Sequence, residues 1–380
     1  MGGGPLSGVK IVEIAGLGAG PMAAMMLAYL GADIVRIDRL EPTPMDVRDR
    51  RYDVTGRTRR SVAVNLRDPE GVAIALRLIE RADGLIEAMR PGVAERLGIG
   101  PDTCLSRNPR LVYGRATGWG QEGPLAPRAG HDLNYVAVTG VLAALGRRGA
   151  PPAPPLNLLA DGGGAMLMAF GMVCGLLEAA RSGKGQVVDA AMVDGVSLLF
   201  GPILARAADG RWNFQRESNG ADGGAHFYEV YETADRQYVS VAAMEPQFYA
   251  RLLALLGLDA AESPPQMDRT AWPAMKARFA EIFRTRTRAE WRTLLEGEDA
   301  CFAPVLNAKE AIGEPHAAAR GAYIQVAGVT QPAPAPRFSR TTPDAPSEPP
   351  TRGRDTEAVL DALGLSAAEI AALRDKRVVS

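Results

Sequence analysis

Two ionisable side chains, His131 and Asp161, stand in apolar, glycine-rich surroundings. His131 follows a Gly/Pro-rich stretch at 118–130 and begins a segment that predicts a helix over 132–145, where a polar ring is poorly placed for core packing. Asp161 precedes three glycines and an apolar segment that predicts a helix over 161–180, so it occupies the position of a helix N-cap. An imidazole and a carboxyl group are common proton donors and acceptors in catalysis.

The glycines after Asp161 open a second interpretation of this helix start. A cap needs only a side-chain oxygen, whereas Gly162–Gly164 expose backbone N–H groups at the positive end of a helix, where a negative oxygen is stabilised. The residues leave both roles open, a structural cap and an oxyanion site.

The first predicted turn matches the GxGxxG/A form of dinucleotide-binding proteins. Gly18 and Gly20 follow a predicted strand over 9–15, and Asp38 ends the next strand about 20 residues later. Pro21 removes one N–H group that a pyrophosphate would use. A tight turn that requires glycine is therefore favoured over an NAD-binding oxidoreductase.

Positive charge is concentrated in one segment. Six arginines fall within thirteen residues: Arg48, Arg50, Arg51, Arg57, Arg59 and Arg60. Guanidinium groups suit phosphate oxygens, although a solvated face is the alternative. The whole chain balances 43 Lys and Arg against 44 Asp and Glu, which excludes a global field for nucleic acid or an anionic membrane.

Strands alternate with helices over 9–116, which predicts an α/β fold with a mostly parallel, Rossmann-like sheet. The pattern then changes to paired strands followed by helices, typical of a smaller α+β domain. We predict a large domain over 1–205 that is completed by 325–380, a linker over 206–223, a small domain over 224–312 and a return linker over 313–324. Seven prolines within 331–350 predict an extended arm.

No metal, disulfide or membrane segment is expected. The three cysteines form no CxxC pair, and the histidines at 131, 226 and 316 have no ligand spacing. His226 and His316 fit surface or interface positions. The apolar uncharged stretch 162–177 is shorter than the roughly 18 residues of a membrane span, and no signal pattern begins the chain. We expect a cytoplasmic protein.

The sequence resembles the alpha-methylacyl-CoA racemase branch of the class III (formyl-CoA transferase-like) CoA-transferase superfamily. The resemblance covers nearly the whole chain, and its blocks include LSGVKIVEIAGLGAGP (6–21), AGHDLNY (129–135), PPLNLLADGGG (154–164) and GKGQVVDAAMVDG (183–195). It implies a Rossmann-like large domain, a small domain and an interlocked homodimer.

The resemblance implies a racemase of 2-methyl-branched acyl-CoA thioesters. Such enzymes remove the alpha proton on one face and return a proton on the other through a planar enolate. The family's two bases fall in this sequence on His131 and Asp161, and the enolate oxygen is expected at the N–H groups of Asp161 and Gly162. No cofactor is implied, since coenzyme A is part of the substrate.

Further site residues follow from the resemblance alone. It places Asn157 beside Asp161, and it brings Tyr228 and Glu245 from the small domain of the partner subunit to the side of His131, with Glu245 orienting the imidazole. It predicts six CoA-binding residues: Arg39, Val64, Arg67, Ala88, Arg96 and Asp132. Two positions depart from the family pattern, Met89 in place of an aromatic residue and His226 in place of a proline.

The main competing function is a CoA-transferase in which Asp161 attacks the thioester as a nucleophile. His131 favours the racemase, because transferase chemistry does not require a histidine there. The segment after the predicted strand 238–243 also lacks the Gly-rich loop of those transferases. A CoA-binding protein without catalysis is disfavoured by the joint presence of the predicted catalytic residues. The acyl group remains open among straight-chain, sterol-side-chain, bile-acid-like and arylpropionyl thioesters.

Overall fold

A computed structural model describes residues 3–380, so residues 1–2, where the predicted large domain begins, lie outside the described residues. The described residues form two compact units, one of 3–139, 155–199 and 319–380 and the other of 140–154 and 200–318. These units differ from the predicted domains at five segments. The second unit also contains 140–154, 200–205, the predicted linker 206–223 and 313–318 of the predicted return linker, and 319–324 cluster with the first unit.

The first unit is built on a six-stranded parallel sheet. Its strands are β1 (Lys10–Ile14), β2 (Asp33–Asp38), β3 (Arg60–Ala63), β4 (Gly84–Glu87), β5 (Val112–Thr117) and β6 (Gln186–Ala191). They are ordered β3-β2-β1-β4-β5-β6, and every neighbouring pair is parallel. The predicted α/β fold with a parallel sheet is therefore confirmed. The strand order reverses between β1 and β4, which opens a crevice at the carboxyl ends of the strands.

The helices of both units are numbered in chain order. The first eight are α1 (Ala19–Tyr29), α2 (Pro69–Ile79), α3 (Val93–Arg96), α4 (Pro101–Arg107), α5 (Asp132–Val138), α6 (Val141–Ala144), α7 (Gly163–Ser182) and α8 (Met192–Ala208). The others are α9 (Pro246–Leu255), α10 (Trp272–Phe283), α11 (Arg288–Leu295), α12 (Ala308–Ile312), α13 (Pro315–Ala319), α14 (Thr356–Ala362) and α15 (Ala367–Asp375). Short 3₁₀ turns occur at Arg50–Tyr52 and Val54–Gly56, and a π-helical turn at Leu158–Gly162.

Helix α7 packs closely on β5 and β6 because glycines face the sheet. A Cβ added at Gly171 would lie 2.7 Å from Val188, and one at Gly175 would lie 2.6 Å from Val112. The continuous helix Leu158–Ser182 is long and apolar enough to cross a membrane by length and composition. One side of this helix packs on the sheet and on α1, and 33% of its most apolar stretch is buried.

The opposite face of the sheet carries the main apolar core of this unit. Helices α2, α4, α14 and α15 contribute buried side chains such as Ile74, Leu360 and Ile370 to it. No helix or strand occurs within residues 333–355, in agreement with the extended arm that the prolines predict. The chain end then returns to β3, where Val379 bridges Val64 in antiparallel register.

The second unit contains an antiparallel sheet of β7 (Tyr228–Glu232), β8 (Tyr238–Ala242) and β9 (Phe302–Pro304), and a short hairpin of the first unit pairs β10 (Tyr323–Val326) with β11 (Val329–Pro332). Helices α9, α10 and α11 cover an aromatic core that includes Phe227, Phe279 and Trp291. His226 lies in this core and not at a surface, since only 1% of it is exposed. Its Nε2 lies 2.8 Å from the hydroxyl of Tyr249, and burial lowers its pKa to about 4.

Candidate active site

The glycines of the turn after β1 allow close approaches between chain segments. Gly18 has a φ of 70°, and a Cβ there would lie 3.3 Å from Oδ1 of Asp161. A Cβ at Gly20 would lie 3.0 Å from that of Ala88. Asp38, which a dinucleotide ribose would need, lies 3.0 Å from Arg36 as an ion pair and accepts a hydrogen bond from Ser61. The tight-turn interpretation explains these residues.

His131 begins α5 with an extended backbone. Its N–H donates to Oδ1 of Asn134 at 3.1 Å, which closes the first turn. The helix ends at Val138 and not at 145 as predicted, because Gly140 takes a left-handed conformation with a φ of 84°. The imidazole itself is exposed and faces a cavity.

The loop before His131 is held by an aromatic pair. The rings of Trp119 and Tyr135 pack edge to face with centroids 4.7 Å apart, and the Tyr135 hydroxyl donates to the carbonyl of Gly130. A Cβ at Gly118 would lie 2.0 Å from the Tyr135 ring, so glycine is required there. This packing positions His131 at the cavity wall.

Asp161 is not a helix N-cap, and that prediction is wrong. It lies inside the π-helical turn Leu158–Gly162, which leads into α7 and is preceded by Asn157 in a left-handed conformation with a φ of 57°. The N–H groups of Ala160 and Asp161 donate to Oδ2 of Asp132 at 2.8 and 2.9 Å. Asp132 therefore fixes the backbone of this turn from a buried position.

This arrangement has two consequences for the predicted roles. Asp132 is only 1% exposed, so it supports the turn instead of offering a surface to CoA. The N–H of Asp161, predicted to hold the enolate, is already engaged with Asp132. The carboxyl of Asp161 has a raised pKa, chiefly because it is half-buried and also because the negative charge of Asp132 is near, while His131 acts in the opposite direction.

His131 and Asp161 line one cavity of about 460 Å³ in the first unit. Asn157 and Tyr135 also line it, and Ala88 lies on its wall after the end of β4. The cavity sits at the carboxyl ends of the strands, beside the reversal of strand order, where ligands of α/β proteins bind. An imidazole and a carboxyl group thus share one cavity.

A larger cavity, of about 700 Å³, lies at the carboxyl ends of β1, β2 and β3. Its apolar wall includes Ile14, Ile37, Val64, Leu66, Val93 and Leu97. Four cationic side chains line it, namely Arg39, Arg67, Lys376 and Arg377. Met89 lines this cavity as well as the smaller one.

The six predicted CoA-binding residues separate into three groups. Arg39, Val64 and Arg67 line the larger cavity, and Ala88 lines the smaller one. Arg96 is exposed on α3 and lines neither of these two cavities, as is also true of the buried Asp132. Sequence reasoning missed Lys376 and Arg377, because no motif marks them and about 300 residues separate them from β3.

The arginine-rich segment mainly neutralises carboxylates of its own chain. Its ion pairs include Arg50–Asp53 at 2.7 Å, Arg59–Glu13 at 2.6 Å and Arg60–Asp33 at 2.7 Å. Arg59 and Glu13 are both fully buried. Carboxylates of the protein thus already pair with these three arginines, which leaves them less available to an anion.

Tyr228 and Glu245 lie at one end of the small sheet in the second unit. Tyr228 begins β7 and pairs with Ala242, the last residue of β8, and Glu245 follows three residues later as the N-cap of α9. Both side chains are exposed. The two predicted small-domain residues thus share one surface of that unit.

Across residues 3–380, no group of three or more His, Cys, Asp and Glu side chains is placed to hold a metal ion.

The doubly wound parallel sheet, with the His131 and Asp161 cavity beside the reversal of its strand order, defines a class of α/β proteins. A comparison with family models identifies this class. The model of CoA-transferase family III matches residues 6–356. The chain belongs to this family.

Individual relatives show to which members of the family this chain is similar. The chain is 44% identical to the alpha-methylacyl-CoA racemase of Mus musculus over 98% of this chain and 97% of the relative. It is 42% identical to the alpha-methylacyl-CoA racemase of Homo sapiens, with the same coverage. Among solved structures, a CAIB/BAIF family protein from Brucella suis is similar, with a TM-score of 0.82 and 25% identity over 95% of this chain and 100% of that chain.

Proposed function

We propose that this chain is a racemase that interconverts (2R)- and (2S)-2-methylacyl-CoA thioesters by 1,1-proton transfer. One observation carries the proposal: a single cavity holds an exposed imidazole, His131, and a carboxyl group of raised pKa, Asp161. The identity of 44% to a relative named alpha-methylacyl-CoA racemase supports the same reaction.

The two side chains act on opposite faces of the substrate. The neutral imidazole of His131 accepts the alpha proton, and the electron pair of that C–H bond moves into the thioester to form an enolate. The protonated carboxyl of Asp161 then donates its proton to the other face of the alpha carbon. The roles reverse for the other enantiomer, so each direction requires opposite starting protonation states.

The enolate oxygen needs a donor other than the N–H of Asp161, because that group is engaged with Asp132. We place the oxygen at Gly162, where a Cβ would meet nothing within 4 Å and a substrate can approach the backbone. The site lies in the first turns of a helix that begins at Leu158, and the positive end of that helix favours the developing negative charge.

Coenzyme A extends along the sheet in this proposal. Its adenosine end occupies the larger cavity with Arg39 and Arg67, and its thioester reaches the smaller cavity past Met89, which lines both. No other cofactor takes part, and we place the protein in the cytoplasm. The acyl group occupies the remainder of the smaller cavity.

A homodimer completes the site in this proposal. Helix α7 leaves Met166, Phe170 and Leu177 exposed, an apolar face that suits a second copy of the chain. Glu245 and Tyr228 of the second copy then approach His131. Glu245 orients the imidazole as a positioning residue.

Co-expression of two inactive variants tests the composite site. If the site combines His131 of one subunit with Glu245 of the other, mixed dimers of His131→Ala and Glu245→Ala chains contain one intact site. Random mixing then restores about a quarter of the wild-type activity per dimer. No restoration in dimers shown to be mixed would place Glu245 in the same chain as His131.

Deuterium incorporation tests the reaction. Incubation of one enantiomer of a 2-methylacyl-CoA in heavy water is expected to yield both enantiomers with deuterium at the alpha carbon, without an added carboxylic acid. An incubation without the protein serves as the control that reveals non-enzymatic exchange. CoA transfer to an added carboxylate, without exchange at the alpha carbon, would overturn the racemase in favour of a transferase.

A further inference from the structure

The larger cavity is lined by two cationic side chains that form no ion pair within the protein. Within residues 3–380, the side chains of Arg39 and Arg67 make no hydrogen bond or ion pair, although both line a cavity that combines an apolar wall with charged side chains. Unpaired guanidinium groups at the mouth of an apolar cavity suit a ligand that combines a flat apolar ring with phosphate.

The C-terminal segment adds Lys376 and Arg377 to the same cavity and is held there by the sheet. The N–H of Asn65 donates to the carbonyl of Val378 at 2.9 Å, and Val379 bridges Val64. Val378 and Val379 are buried. The two cations are therefore carried on backbone that is tied to the end of β3.

These two cations are available to a ligand. Arg377 pairs with Glu41 at 2.6 Å, and both side chains are more than 70% exposed. Lys376 pairs with Glu70 at 2.9 Å, and both are at least half exposed. Ion pairs in such exposed positions are weak, so a phosphate dianion competes well for either cation.

The order of the strands decides which phosphate of coenzyme A reaches them. The smaller cavity, which His131 and Asp161 line, extends over the ends of β1, β4, β5 and β6, whereas the C-terminal cations lie at the end of β3, the edge strand two places from β1. Three strand spacings, or about 14 Å, separate β3 from β4. The group of coenzyme A most distant from the thioester is the 3′-phosphoadenosine.

We propose that Lys376 and Arg377 bind the 3′-phosphate of the coenzyme A substrate. The inference rests on the proposed function for its ligand. It assigns a binding role to the chain end, which joins Arg39 and Arg67 around one phosphoadenosine site.

The test compares CoA with 3′-dephospho-CoA by calorimetric titration of the full chain. The double variant Lys376→Ala/Arg377→Ala is expected to weaken CoA binding about tenfold, while the affinity for dephospho-CoA stays within about twofold of wild type. Arg374→Ala is the matched control, since Arg374 lies in the last turn of α15, two residues before Lys376, but pairs with Glu357 outside the cavity, and it should change neither affinity.

A gain-of-affinity variant tests the same proposal in the other direction. Glu41→Gln releases Arg377 from its carboxylate and removes a negative charge from the cavity wall, so CoA should bind more tightly and dephospho-CoA should not. Equal losses for both ligands in the double variant, or none, would overturn the assignment of the 3′-phosphate. A wild-type chain that binds neither ligand would instead remove the proposed function on which it rests.

Discussion

Substitution of Asp132 by asparagine distinguishes two effects of this carboxylate: it holds the backbone of the turn around Asp161, and its charge affects the pKa of Asp161. Oδ2 of Asp132 accepts the N–H groups of Ala160 and Asp161, and its buried Oδ1 has no hydrogen-bond partner within residues 3–380. In Asp132→Asn, the amide oxygen can keep the place of Oδ2 while the amide nitrogen replaces Oδ1. The shape of the turn is preserved, and the negative charge is removed.

The expected loss of stability follows from these contacts. Hydrogen bonds to a charged acceptor contribute about 1.5–3 kcal/mol each and neutral ones about 1 kcal/mol, and the new amide N–H groups are buried without an acceptor. Asp132→Asn should therefore lower the free energy of unfolding by about 2–4 kcal/mol. Asp83→Asn is the control, because Asp83 is exposed and accepts a single N–H, that of Lys10, at the other end of the sheet. Its effect should stay below about 1 kcal/mol.

The pH dependence of kcat/KM reports the electrostatic effect. The negative charge of Asp132 contributes to the raised pKa of Asp161, so its removal lowers that pKa. For the enantiomer deprotonated by His131, Asp161 must start protonated, and the limb that falls with rising pH should move to lower pH. For the other enantiomer, Asp161 must start ionised, and the limb that rises with pH should also move to lower pH.

The two measurements refute different parts of the reasoning. A profile that stays in place, or moves to higher pH, would show that Asp132 does not tune Asp161. A variant as stable as Asp83→Asn would show that the two N–H contacts do not hold the turn.

Three further predictions follow from the site and its supports. His131→Ala and Asp161→Ala should each lower the rate of racemisation by about 100- to 10,000-fold. Each variant should still exchange the alpha proton of one enantiomer for deuterium, with the configuration of that enantiomer unchanged. Residual racemisation within a few-fold of wild type would show that the bases are assigned wrongly. Gly18→Ala should lower kcat more than tenfold, because alanine is strained at a φ of 70° and its Cβ presses on Asp161, and an unchanged kcat with a normal circular dichroism spectrum would contradict this. Arg59→Met should destabilise the chain by about 3–5 kcal/mol in urea unfolding because it leaves Glu13 buried and unpaired, and the double variant with Glu13→Leu should recover part of that loss.

Local patterns were sufficient for the parallel sheet and for the two proton-transfer residues. Apolar strands alternate with helices along the first third of the chain, and such alternation permits few folds. His131 and Asp161 were conspicuous because each interrupts apolar or glycine-rich sequence, a contrast that needs no knowledge of distant contacts. The helices that follow the paired strands, such as α10 and α11, were also indicated by the sequence, since apolar spacing is a local signal.

The partners of these residues were decided by the tertiary structure. The π-helical turn around Asp161 depends on N–H groups that donate to Asp132, about 30 residues earlier in the chain, and no periodicity reveals such a pairing. Arg59 resembled a phosphate ligand in sequence, yet it is paired with Glu13 on a neighbouring part of the sheet.

The C-terminal segment shows the same contrast between local sequence signals and tertiary contacts. The sequence by itself determined that 331–350 runs extended, because proline lacks the N–H and the backbone freedom that helices and sheets need. Only the tertiary structure decided that the segment after it returns to β3 and brings Lys376 and Arg377 to a cavity with Arg39. Secondary structure follows from interactions within a few residues, whereas a binding site collects side chains whose proximity exists only after the sheet has set the order of its strands.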